Sequence, residues 1–164
     1  MGYVTEKSYS LILLIVMCTS TVSAACDCSK EDELYSIRGI ASGLVLDASK
    51  PDQIQIQRYT GVPAQLWRFE RGTHAGLFRI VNHATGTALS YKDYKDGWYI
   101  LTVKKASKQE FMININNTIT NVETTWNMDV LDNKLRPGTL VGLYVTNGNR
   151  AQLFKLQEKY TYTT

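Results

Sequence analysis

Few side chains in this 164-residue chain are of the types and spacings that make or break covalent bonds. The two histidines, His74 and His83, stand in loop-like stretches with no paired nucleophile. No His-Glu-x-x-His, Gly-x-Ser-x-Gly or glycine-rich phosphate loop occurs, and the carboxylates Asp93, Asp96, Glu123 and Asp132 are scattered through turns. No catalytic residue, metal site or cofactor is therefore expected, and an enzyme is the disfavoured class. What does recur is an amide two places before a large ring: Gln65-Leu66-Trp67, Gln109-Glu110-Phe111 and Gln152-Leu153-Phe154. On a strand, residues two apart face the same side. The ring then supplies apolar burial, and the amide, both donor and acceptor, satisfies backbone groups of the preceding loop. Such a pair builds a fold and is not by itself a binding site.

The three sites lie 44 and 43 residues apart, within a longer repeat. Leu34-Tyr35-Ser36-Ile37 and Gly43-Leu44-Val45-Leu46-Asp47 return as Leu77-Phe78-Arg79-Ile80 and Gly86-Thr87-Ala88-Leu89-Ser90. Ile119-Thr120-Asn121-Val122 and Trp126-Asn127-Met128-Asp129-Val130 are a worn third copy. Within each unit, short alternating runs such as "IQIQ" and "VGLYV" are separated by "TGVP", "RPG" and "TNGN", and no long stretch carries a helical apolar stripe. Three units are too few for a propeller, and a solenoid would need polar capping ends. The pattern predicts an all-β chain closed with threefold pseudo-symmetry, a β-trefoil with about four strands per repeat. The repeats are expected over about 34–76, 77–117 and 118–158, within a domain spanning 34–158.

Ahead of the repeats, Leu11 to Met17 is an apolar run followed by the small-residue stretch "TSTVSAA". This reads as a signal peptide over 1–25 and implies a secreted, extracellular chain with no membrane span. A segment over 26–33 holds Cys26 and Cys28, which are expected either to bond within "CDC" or to pair with another chain as a homodimer link. A metal site on these two cysteines would need two further ligands, and none stands nearby. The net charge of +3 is mild, and the basic clusters are interleaved with acids or confined to one loop. That excludes the dense basic face of a nucleic-acid binder.

Three Gln-x-aromatic sites at this spacing, each preceded by a "GLVLD"-like strand, resemble the ricin B-chain type lectin family of β-trefoils, with its QxW repeat. The resemblance spans about Leu34 to Leu156. It implies a sugar pocket in each unit, commonly for galactose or N-acetylgalactosamine on glycans or glycoproteins. An aspartate after the "GLVLD" strand would accept hydrogen bonds from hydroxyls, an aromatic would stack on the sugar, and polar residues near the QxW site would complete the ring.

In the first unit this points to Asp47 and Gln55, with Gln57 where the stacking aromatic is expected and Ala64 where asparagine is usual; Tyr59 is the nearest alternative ring. In the second, Ser90, Leu101 and Lys108 replace sugar-binding groups, so only Tyr91 or Trp98 offers material for a new site. The third unit is expected to hold the best pocket, with Asp129, Tyr144, Asn147, Asn149 and Gln152, although Ala151 again replaces asparagine. The alternative function is a β-trefoil that binds protein rather than sugar, as a protease inhibitor or a toxin-associated module.

Overall fold

The structure, a computed structural model, describes residues 33–95, 98–105 and 109–159. The expected signal over 1–25, Cys26, Cys28, Asp96 and Lys108 lie outside the described residues.

Twelve short strands run through the described residues, four to a unit. The first unit contributes β1 (Tyr35–Gly39), β2 (Val45–Asp47), β3 (Gln55–Gln57) and β4 (Trp67–Arg71). The second contributes β5 (Leu77–Asn82), β6 (Ala88–Asp93), β7 (Tyr99–Lys104) and β8 (Phe111–Ile113). The third contributes β9 (Ile119–Asn121), β10 (Asn127–Val130), β11 (Val141–Tyr144) and β12 (Phe154–Glu158). The outer strands of each unit build a barrel through antiparallel pairs β1–β4, β4–β5, β5–β8, β8–β9 and β12–β1. The inner strands form three hairpins, β2–β3, β6–β7 and β10–β11, that cap it. This is the expected β-trefoil.

Alternation decides what each hairpin buries. Leu46 faces Ile56 and Met128 faces Leu143, and all four are fully buried. The hairpins meet around the pseudo-threefold axis, where Ile54 N donates to Leu101 O at 2.9 Å and Val141 N donates to Ile54 O at 2.9 Å. Ile54, Leu101 and Val141 have no exposed surface.

The recurrent ring and amide sit where the units join. Trp67 pairs with Asn82, Phe111 with Asn121 and Phe154 with Gly39, so each aromatic lies opposite the last residue of the next unit's first strand. The residue after each glutamine then accepts a backbone bond from the following unit. His83 N reaches Leu66 O at 2.9 Å, Val122 N reaches Glu110 O at 3.0 Å, and Ile40 N reaches Leu153 O at 2.9 Å. The side chains of Asn82 and Asn121 reinforce two of these junctions, bonding to Ala64 O and Leu66 O in one and to Gln109 Oε1 and Glu110 O in the other.

The glutamines are not equivalent. Gln65 is buried and uses its whole amide: Oε1 accepts from Thr60 N at 2.7 Å and Gly61 N at 3.2 Å, and Nε2 donates to Arg58 O at 2.8 Å. Gln152 repeats the pattern, accepting from Asn147 N at 3.2 Å and donating to Val145 O at 2.9 Å. Gln109 is half-buried, and its amide bonds to Glu123 and Asn121. Replacing Gln65 by alanine strips loop groups of their partners and is expected to destabilise by about 2 kcal/mol, against clearly less for Gln109→Ala. Equal urea midpoints for the two variants would contradict this assignment.

The turn after the first strand of each unit also repeats. Gly43, Gly86 and Thr125 close it with bonds to Gly39 O, Asn82 O and Asn121 O, at φ of 69°, 64° and 61°. Two units meet this left-handed requirement with glycine, and the third holds a β-branched residue there under strain. Thr125→Gly is expected to raise stability by about 1 kcal/mol, read as a higher midpoint of thermal or urea unfolding.

Candidate functional site

The first unit gathers its predicted residues into one place. Asp47, Gln55, Gln57 and Gln65 line a cleft of about 380 Å³. Asp47 lines it, is 7% exposed as a residue, and has its carboxylate oriented from two sides. Ser49 N donates to Oδ1 at 2.7 Å, and Gln65 Nε2 donates to Oδ2 at 2.9 Å. The Gln65 amide therefore serves the fold and the site together. An ionised carboxylate has about four lone-pair sites, so these two bonds leave capacity for an external donor. Gln57 Nε2 donates to Gln55 Oε1 at 3.3 Å, which fixes the two amides relative to each other on β3. Lys50, Arg58 and Thr60 add polar groups, and Val62 and Pro137 add the apolar surface. Tyr59 is not among the lining residues; it lies under Arg38, whose guanidinium carbon is 5.6 Å from the ring centroid.

The third unit keeps the same frame with different consequences. Asp129 is buried at the position matching Asp47, and opposite it on β11 stands Gly142 rather than a glutamine. Burial raises the Asp129 carboxyl above the usual carboxylate range, and the Gln152 amide partly offsets this. Asn147 and Asn149 shape the neighbouring turn: Asn147 Oδ1 accepts from Asn149 N at 2.9 Å, and Asn149 Oδ1 accepts from Ala151 N at 3.2 Å. Ala151 is 2% exposed and belongs to the core, which explains why a small residue stands there. Tyr144 does not stand alone as a platform. It stacks on Trp98 at 4.6 Å between centroids and meets Trp126 edge-on at 6.4 Å.

The second unit corrects one expectation. The residues across from Val45, Ala88 and Asn127 are Gln57, Lys104 and Tyr144, so the position matching the stacking aromatic is Lys104. Leu101 instead matches Ile54 and Val141 in the core, because the β6–β7 hairpin runs longer and moves the outer position three residues along. What this unit builds is a seam of rings. Tyr91 meets Tyr99 at 4.9 Å, Tyr99 meets Trp126 at 5.3 Å, and the line continues through Tyr144 to Trp98. Burial, then the charge of Glu123, raise the Tyr91 hydroxyl above its ordinary value. Sequence reasoning had not placed Tyr99 and Trp126 at any site; the signal available was the aromatic density of "SYKDYKDGWY".

The burial of Asp129 has a measurable consequence. Its folded pKa is raised, so its contribution favours the fold at low pH and is lost as pH rises through the raised value. Asp129→Asn removes that loss, and its gain in melting temperature is expected to be larger at pH 7 than at pH 3. A shift of the same size at both pH values would show that the carboxyl charge is not the cause.

Residues 22–100 match the model of the family described as "Ricin-type beta-trefoil lectin domain-like". Among solved structures, the Macrolepiota procera ricin B-like lectin in complex with lactose is 21% identical with a TM-score of 0.66, over 77% of this chain and 96% of that one. The Rhizoctonia solani agglutinin is 16% identical with a TM-score of 0.67, over 77% of this chain and 94% of that one. The designed threefold-symmetric protein ThreeFoil is 18% identical with a TM-score of 0.68, over 75% of this chain and 96% of that one. No curated protein matches the chain. The repeat, the twelve-strand architecture of the described residues and the family match lead to one assignment: the chain folds as a β-trefoil, and its residues 22–100 are similar to the ricin-type lectin-like domain family.

Proposed function

We propose that the domain binds carbohydrate, with the first-unit cleft as its principal contact and the third unit as a secondary one. The observation that carries this reading is Asp47, a carboxylate held by Ser49 N and Gln65 Nε2 in a cleft lined by polar side chains, with remaining acceptor capacity. Vicinal hydroxyls of a pyranose are donors of suitable spacing for such a group, and a charge-assisted bond is worth about 1.5 to 3 kcal/mol. The amides of Gln55 and Gln57 would complete the polar rim, and Val62 and Pro137 would take the sugar's C–H face in place of a ring. Glycans of the galactose or N-acetylgalactosamine type are the proposed ligands. Catalysis forms no part of this reading.

One shallow site of this kind supports about −4 to −5 kcal/mol, close to millimolar dissociation. Biological binding then depends on several copies acting together. Export directed by residues 1–25 and linkage through Cys26 or Cys28 would supply such display outside the cell, and both are proposed on the sequence alone. The absence of an aromatic at Gln57 favours one rival, a trefoil directed at protein, and a direct binding measurement separates the two.

A glycan array displaying the wild type at high valency is expected to show binding to terminal galactose-type sugars. Asp47→Asn, which preserves shape, should weaken it at least about tenfold. A wild type that binds no glycan, or a variant that binds equally well, would overturn the proposal.

A further inference from the structure

A second and larger cleft, of about 730 Å³, opens beside the first between Tyr94, Lys95 and Trp98 of the second unit and residues 131–140 of the third. Three cations line it, Lys95, Lys134 and Arg136. Lys134 is matched by Asp132, Nζ to Oδ2 at 2.8 Å, whereas Lys95 and Arg136 have no ion-pair partner among the described residues. Trp98 also lines the cleft, and its ring is stacked on Tyr144, so a flat indole is held in place at the wall.

The opposite wall is built for shape rather than for local comfort. Asp132 and Asn133 take consecutive left-handed conformations, at φ of 54° and 53°, which cost energy unless the surroundings enforce them. The same segment is tied to β3 of the first unit, Ile56 N to Thr139 O and Gly138 N to Ile56 O, both at 2.9 Å. Pro137 is common to both clefts. The Asp47 cleft and the Trp98 cleft are therefore neighbours across one shared ridge.

We propose that the Trp98 cleft is a subsite for an acidic saccharide, a pyranose bearing a sulfate or carboxylate. Arg136 and Lys95 would meet the anion, and Trp98 would take the apolar ring face. Continuity with the Asp47 cleft gives the occupant its class: the acidic residue belongs to the same glycan whose neutral unit lies at Asp47. The inference rests on the carbohydrate reading, and it adds a charge requirement that the reading alone does not contain.

The test is an array of matched neutral, sulfated and uronic-acid-containing galactosides probed with the full chain, with inorganic sulfate as a competitor. Acidic members of one or both kinds are expected to bind about tenfold tighter than their neutral parents, and the preference should shrink as salt rises. Arg136→Ala and Trp98→Ala should each abolish the preference, with Arg136→Ala leaving neutral binding unchanged. The sulfated and uronic arms identify which anion is read. Acidic and neutral glycans of equal affinity, a preference that survives Arg136→Ala, or displacement by sulfate alone at concentrations equal to the glycan would each overturn the subsite. If neutral glycans still bind through Asp47 in those cases, only the subsite falls; if no glycan binds, the carbohydrate reading falls with it.

Discussion

The junction bond from each unit to the next is the constraint on which the rest of this structure depends. A barrel strand presents unpaired backbone groups wherever it lacks a neighbour, and closure removes the exposed edges. Here closure runs in one sense around the axis, as His83, Val122 and Ile40 each donate to the residue after the preceding unit's glutamine. The glutamine turn must hold its shape for that acceptor to be in place. Gln65 and Gln152 do this by folding their own loops around a buried amide. The aromatic two residues on then fills the space opposite the next unit's turn.

The three junctions meet this demand with different chemistry. Two use asparagine, whose side chain reaches across the junction, and the third uses Gly39, where an added Cβ would stand 2.8 Å from Ser42 Oγ. The second unit keeps the ring of Phe111, and its Gln109 bonds to Asn121 and Glu123.

Most of the fold was legible in the sequence because the repeat is written in residues that carry strong physical meaning. Buried amides and large rings are costly to lose, so the three Gln-x-aromatic sites survive where hairpin loops diverge. The first-unit residues Asp47, Gln55 and Gln57 were also readable, since hairpin register brings them to one face. Leu101 was misplaced for a related reason: fixed sequence offsets assume equal hairpins, and β6–β7 is longer than its counterparts. The fate of Tyr144 was not readable at all. Its partner Trp98 comes from another unit, and only the pairing of β11 with β7 brings the two together.

That pairing also explains why the two ends of the cap diverge in character. In the first unit the position matching Tyr144 is a glutamine, and the cleft there stays open and polar around Asp47. In the third unit the ring is drawn sideways into the seam, Asp129 is buried enough for its charged form to be disfavoured, and Gly142, where Gln55 stands in the first, lies so close to β7 that an added Cβ would collide with the Tyr99 backbone oxygen. A carboxylate that recognises hydroxyls must stay ionised with lone pairs accessible, whereas one packed beneath a strand crossing contributes to folding most when neutral. Aspartates in the same register position thus stand in two environments, Asp47 beside a cleft and Asp129 buried with its charged form disfavoured. The surrounding packing decides which, and a symmetric scaffold can thereby place a polar site and an aromatic wall side by side.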